Sequence, residues 1–355
     1  MRILLVRLTA LGDIIHSSAV LQFIKRERPD IEIDWLIEES FREILEHNPY
    51  ISTLHSINLK SLKVDRSWNN IQSLLSQIDS ISKKNYDLVI DLQGLIKSAI
   101  VSRLISKNTA GFSFNSAKER IASLLYRHHS HISYSENKIW RNFKLINDIL
   151  NLSISKSDIL HKSAHLFFQD TSISANGKII FVVGSSMEQK NYPKEKFLEV
   201  AEMLQKDILV VWGSQHEREI GEWLSNRSQY ISLAPKMNLD QLKYFISTSS
   251  IVIGNDTGPT HIAWAMNIPS IVLFGLTPIE QAFQTPINRV IKSSSKINHR
   301  KIDKQDYSIR EIEPKQIVDE VDIIFQKLKA GKDGNRESKK GDRSSETGRN
   351  HHYDR

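Results

Sequence analysis

Cysteine is absent from the 355-residue chain, so neither a disulfide nor a thiolate zinc site can hold its fold. Long apolar runs are missing too. No stretch reaches the ~18 uninterrupted apolar residues of a spanning helix. The opening run Ile3-Leu4-Leu5-Val6 stops at Arg7, too short for the apolar stretch of a secretion signal. The expected location is therefore the cytoplasm, with any membrane contact confined to the surface. Glycine is sparse where a dinucleotide fingerprint would need it. The loop after the first apolar run has Gly12 alone, which excludes G-x-G-x-x-G, and no P-loop pattern occurs there either. Paired carboxylates are lacking around Asp256, and His128, His129 and His131 have no acidic or cysteine partner at ligand spacing. No bound metal is expected.

What is present reads as a soluble globular chain of two domains, with 40% hydrophobic and 25% charged residues. The net charge of +7 favours anionic partners, yet Lys and Arg are interspersed with Asp and Glu over most of the length, and no nucleic-acid-binding module is recognisable. Short apolar runs alternate with helical patterns. Strands are expected at 3–6, 31–37 and 88–92, with helices at 14–26 and 95–105. A second series has strands at 178–183, 208–212, 251–253 and 270–274, with helices at 193–205, 217–226, 239–247 and 259–266. Such alternation implies parallel sheets flanked by helices. The pattern weakens between about 150 and 176. It predicts an N-terminal Rossmann-like domain over 1–160, a C-terminal one over 175–312 and a closing helix within 313–330. The stretch 331–355 has no Ile, Leu or Val and is expected to stay disordered.

Three loops carry chemistry. In Ile251-Val252-Ile253-Gly254-Asn255-Asp256-Thr257-Gly258-Pro259-Thr260-His261, a buried strand enters a polar turn and then a helix with Pro259 in its first turn. Free N–H groups and the macrodipole make such a helix start an anion site, and an ordinary capped helix would use the same residue types. Thr257, Gly258, Thr260 and His261 supply close backbone approach and donors. Lys190, before Pro193, is placed to reach phosphate oxygens, or to be a surface lysine. Asp13, after the first strand, is a candidate general base or a helix cap. Lys60, Lys63 and Arg66, with Lys97, Lys118, Arg120 and Arg127, form a candidate basic wall in the N-terminal half.

Taken together, these blocks resemble glycosyltransferase family 9, the ADP-heptose:lipopolysaccharide heptosyltransferases. The resemblance spans roughly residues 1–325. It rests on Leu11-Gly12-Asp13-Ile14-Ile15-His16, Asp34-Trp35-Leu36-Ile37-Glu38-Glu39, Asp91-Leu92-Gln93-Gly94-Leu95-Ile96-Lys97-Ser98, Lys190-Asn191-Tyr192-Pro193 and the 255–261 block. The second and third of these, with Lys118 to Leu124, are most similar to type I members. The resemblance implies an α/β GT-B fold of two Rossmann-like domains facing a cleft. It implies inverting transfer of heptose from ADP-heptose to a Kdo residue of Kdo-lipid A, beside the inner membrane and with no cofactor. A type II enzyme and a same-fold nucleotide-sugar epimerase are the alternatives. It further implies Asp13 as base, and Lys190, Asp256, Thr257, Gly258, Thr260 and His261 as donor-binding residues. Lys60, Lys63, Arg66, Gln93, Lys97 and Arg120 are assigned to the acceptor side. Pro259-Thr260 departs from the family's usual pair, and the threonine keeps the hydroxyl.

Overall fold

The computed structural model describes residues 1–61, 65, 67–296, 298 and 303–345, those after 330 by backbone alone. The expected acceptor residues Lys63 and Arg66 lie outside the described residues.

Two six-stranded sheets are present, and every strand pair in them is parallel. The first contains β1 (Arg2–Val6), β2 (Glu32–Glu38), β3 (Thr53–Ile57), β4 (Leu88–Asp91), β5 (Thr109–Phe112) and β6 (His128–Ser130), in the order β3-β2-β1-β4-β5-β6. The second contains β7 (Ile179–Val182), β8 (Ile208–Val211), β9 (Ile231–Leu233), β10 (Ile251–Asn255), β11 (Ser270–Phe274) and β12 (Asn288–Lys292), in the order β12-β11-β10-β7-β8-β9. Strands covered on both faces need apolar side chains on both. Ile3, Leu4, Leu5 and Val6 of β1 and Ile251, Val252 and Ile253 of β10 are accordingly all at or near zero exposure. Each sheet reverses its winding between two central strands, β1/β4 and β7/β10. In open parallel sheets, ligands bind at the strand C-termini beside such a reversal.

The helices are α1 (Leu11–Ser18), α2 (Val20–Glu27), α3 (Trp68–Ser82), α4 (Ile96–Ile105), α5 (Lys138–Leu150), α6 (Lys156–Leu160), α7 (Lys194–Leu204), α8 (Gln215–Ser225), α9 (Leu239–Ser247), α10 (Gly258–Ala265) and α11 (Pro314–Ser345). The single helix expected over 14–26 is divided at Ala19. The hydroxyls of Ser17 and Ser18 bond to carbonyls of the preceding turn, at 2.7 Å to Asp13 and 2.9 Å to Ile15. Such side chains compete with the helical ladder. The closing helix runs from Pro314 to Ser345, and residues 346–355 fall outside the described residues. Its Ile317, Val321 and Ile324 pack into the core of the second sheet. No helix among the described residues is long and apolar enough to cross a membrane.

The halves join through a buried seam. Lys243 on α9 donates to the carbonyl of Glu43 at 2.7 Å and pairs with Asp240 at 2.9 Å. The Asn137 amide reaches the carbonyl of Ala282 at 2.8 Å. In the connecting segment, buried Lys162 donates to the carbonyl of Trp264 and to Asn267 Oδ1, both at 2.6 Å, so the connection is pinned to the C-terminus of α10. Burial pushes this ammonium down to about 7, against the pull of those oxygens. A lysine depressed in the folded state penalises folding below that value, and the penalty fades as pH rises towards the ordinary 10.5. Stability should therefore rise from pH 7 to 9 by on the order of 2 kcal/mol more in the parent than in Lys162→Met. Parallel melting-temperature curves for the two proteins would refute this.

Candidate active site

The polar turns at the C-terminal ends of β1, β4, β7, β10 and β11 converge on one cleft of about 540 Å³ between the sheets. Asp13 lines it from the N-terminal half. Lys190, Asp256, Thr257, Gly258 and His261 line it from the other.

Asp13 is the third residue of α1 rather than its cap, which is Ala10. Its carboxylate meets the Arg7 guanidinium at 2.9 Å and also pairs with the Lys138 ammonium. Burial alone would raise the carboxyl. The two cations outweigh it and hold Asp13 well below the usual carboxylate range. Arg7 is almost fully buried, and its guanidinium also donates to the carbonyl of Leu92, so it is fixed. Lys138 is less enclosed, with 31% of its side chain exposed. A lysine in the first turn of α5 sits against the helix dipole, and its pairing with Asp13 offsets that cost.

Opposite, Asp256 is buried and fully partnered. It accepts from Lys190 Nζ at 2.5 Å and Thr277 Oγ1 at 3.0 Å, and its other oxygen lies 3.0 Å from His261 Nε2. Burial would raise this carboxyl as well. Lys190 and His261 reverse the shift and hold it far below its ordinary value. Thr257 occupies the cap position of α10 without making a side-chain capping bond, which leaves the first-turn N–H groups for a ligand. Thr260 is a correction. Its hydroxyl turns inward and donates to the carbonyl of Asn255 at 2.8 Å, so it braces the strand end instead of facing the cleft.

The two helix starts touch. A Cβ on Gly12 would stand 2.8 Å from His261 Cδ2, and one on Gly258 would stand 2.4 Å from Leu11 Cδ2 and 3.0 Å from Leu11 Cβ. Each glycine thus admits a side chain from the opposite half. Gly258→Ala is expected to push the halves apart and weaken donor binding by about tenfold, from ~1–2 kcal/mol of overpacking. Leu11→Ala in the same protein should restore binding. Titration with ADP decides, and an unchanged affinity in Gly258→Ala would refute the steric account.

The acceptor-side residues are more scattered. Gln93 lines the cleft and accepts from Leu8 N–H at 2.9 Å while donating to Thr9 Oγ1 at 3.0 Å, so it holds the loop that carries Asp13. Lys97 Nζ reaches the same Thr9 hydroxyl at 3.3 Å. Lys60 bonds to Ser40 Oγ at 2.7 Å and lies over the ring of Phe41, a cleft residue. Arg120 lies in an adjoining open pocket of about 850 Å³ that shares Tyr134 with the cleft. Sequence reasoning did not single out Arg7, Lys138, His16 or Thr277. Arg7 had one signal, a charge at the end of an otherwise apolar strand. His16 is buried with its ring 4.3 Å from that of His261, and burial followed by that neighbour holds it neutral.

The glycosyltransferase family 9 (heptosyltransferase) model matches residues 74–311, two-thirds of the chain and the whole second sheet. The chain belongs to glycosyltransferase family 9. Among family relatives, lipopolysaccharide heptosyltransferase 1 of Campylobacter coli is 39% identical over 92% of this chain and 99% of its own. In fold, this family 9 chain is similar to E. coli heptosyltransferase WaaC with ADP, at a TM-score of 0.77, 23% identity and coverage of 91% of this chain and 99% of the other. WaaC with ADP-2-deoxy-2-fluoro heptose gives 0.75 and 24%, over 90% and 99%. The GT-B arrangement expected of a family 9 glycosyltransferase is thus the one observed.

Proposed function

We propose that the protein transfers heptose from ADP-heptose to a Kdo residue of Kdo-lipid A in lipopolysaccharide inner-core synthesis, as a type I heptosyltransferase. The observation that carries this reading is the placement of the Asp13 carboxylate across one cleft from Lys190 and the start of α10. The 39% identity to a protein named lipopolysaccharide heptosyltransferase 1 supports it. The acceptor hydroxyl oxygen attacks the anomeric carbon from the Asp13 side and the bond to ADP breaks on the opposite face, so the centre inverts. The hydroxyl proton passes to Asp13. Negative charge growing on the departing pyrophosphate is met by Lys190 and the free N–H groups of Thr257-Gly258, with no metal called for. The lipid acceptor places the enzyme at the cytoplasmic face of the inner membrane.

A carboxylate held by two cations is a weak base. Lys138 resolves this by moving to a carboxylate of the acceptor, which leaves Asp13 with Arg7 alone. Lys138→Ala should therefore raise the acceptor KM several-fold and move the acid limb of the pH–rate profile upward, since Asp13 loses one of the cations that depress it. An acid limb that stays where it was would exclude Lys138 from this role.

The deciding experiment is incubation with ADP-heptose and Kdo-lipid A, with mass readout of one added heptose and a parallel arm in EDTA. Activity should survive the chelator. An epimerised donor formed without acceptor would overturn the assignment.

A further inference from the structure

We infer that the face formed by α4 and the neighbouring turn Arg120–Leu125 docks on an anionic lipid bilayer, an assignment that rests on the reading of the acceptor as lipid-linked. On α4, Ser98, Ala99, Val101, Ser102 and Ile105 face inward. Ile96, Ile100 and Leu104, spaced by four, form an outward stripe with 37%, 45% and 52% of their surfaces exposed. Beside it, Ile121 and Leu124 are 61% and 75% exposed, and Phe114 is 47% exposed. Half of the large hydrophobic side chains exposed among the described residues fall in this one segment, 96–124. The two stripes are held together from beneath by the buried cluster of Ala99, Ala122 and Tyr126, whose hydroxyl donates to Asp91 at 2.6 Å. The apolar side chains are therefore fixed outward on a built surface.

The charge around them is one-sided. Residues 96–131 contain six Lys or Arg and one acid, Glu119, in a chain whose whole excess is +7. Arg103, Lys107, Lys118, Arg120 and Arg127 are exposed. The lone acid is engaged, accepting from Ile96 N–H at 2.6 Å. An apolar stripe rimmed by cations fits anionic headgroups above acyl chains. It fits a second copy of the chain poorly, because a twofold contact would bring the same cations together. The face also borders the cleft on the Asp13 side. Leu95, the cap of α4, and Lys118 line the cleft. A sugar rising from the bilayer would thus reach the base without its lipid leaving the membrane.

The test uses the full chain in flotation with vesicles of phosphatidylethanolamine and phosphatidylglycerol, against phosphatidylcholine alone. Two variants are compared, Leu104→Glu/Leu124→Glu and Arg103→Glu/Lys107→Glu. The parent should float with the anionic vesicles only, and less so as salt shortens the Debye length below about 8 Å. Both variants should bind at least about tenfold more weakly. Transfer to Kdo-lipid A embedded in those vesicles should fall by a similar factor, while transfer to a deacylated, water-soluble acceptor stays at the parental rate. Equal vesicle binding by parent and variants would overturn the assignment. So would a parental dimer that Leu104→Glu/Leu124→Glu splits, or parental binding to an acidic protein but to no vesicle. If vesicle binding behaves as expected but neither acceptor gains a heptose, the surface stands and the proposed reaction fails.

Discussion

Asp13→Asn should lower heptose transfer by ~10²–10⁴-fold, the usual cost of losing a positioned base, while leaving ADP affinity within about twofold. The separation follows from the cleft. Asp13 pairs with Arg7 and Lys138, whereas Asp256 pairs with Lys190 in the opposite half. The amide keeps the shape of the carboxylate but cannot take the hydroxyl proton. It also leaves two cations facing no anion, so a stability cost is expected with a defined pH dependence. The folded carboxyl titrates below its ordinary value of 3.8, so the carboxylate stabilises the fold above that pH and ceases to as pH falls through the folded value. Parent and variant should therefore differ in melting temperature at pH 7 and converge in strong acid. Near-parental turnover by folded Asp13→Asn would reduce Asp13 to a structural residue, and a large loss of ADP affinity would mean the two halves of the cleft have been assigned wrongly.

The second large effect concerns Lys190. Lys190→Met removes the nearest cation from a buried carboxylate, and breaking such a pair typically costs ~3–5 kcal/mol because the remaining charge stays buried. Asp256 has only 5% of its side chain exposed, and His261 and Thr277 supply its other bonds, which places the expected loss towards the lower end of that range. ADP affinity should fall by at least about tenfold, since the same ammonium lines the cleft and is proposed to meet the pyrophosphate there. The informative partner is Lys190→Met/Asp256→Asn. With no charge left to bury, it should recover most of the stability and none of the donor affinity. Recovery of both would mean that Lys190 serves the fold alone. Recovery of neither would mean that the pair is not a unit.

The cleft-lining turn after β10 was legible in the sequence because its pattern is local. Asp256, Thr257, Gly258 and His261 stand within six consecutive residues at a strand-to-helix junction, directly after the strand and so at its C-terminus. Asp13 was legible for the same reason. Thr260 was misassigned because a hydroxyl in a helix's first turn can face outward or back to its own strand. The sequence does not distinguish these, and the close packing of Gly254 against Thr260 decides it. The acceptor side was less legible still. Gln93 and Lys97 occupy the expected strand-to-helix junction, yet their polar atoms turn to Leu8 and Thr9 to hold the Asp13 loop.

By itself the sequence determined the two parallel sheets and the separate existence of the polar strand-to-helix loops that line the cleft. Apolar runs of strand length, alternating with amphipathic helices, leave few other ways to bury that surface. Only the tertiary structure decided that Arg7 and Lys138, far apart in the chain, clamp one carboxylate, and that Gly12 and Gly258 each seat a side chain from the other half. It alone showed that the apolar residues of α4 and the 120–125 turn form one outward face. The physical reason is the same in each case. A local pattern records which side of an element is apolar and which residues can bond, whereas charge pairing, close approach and a shared surface depend on distances between elements that only packing sets.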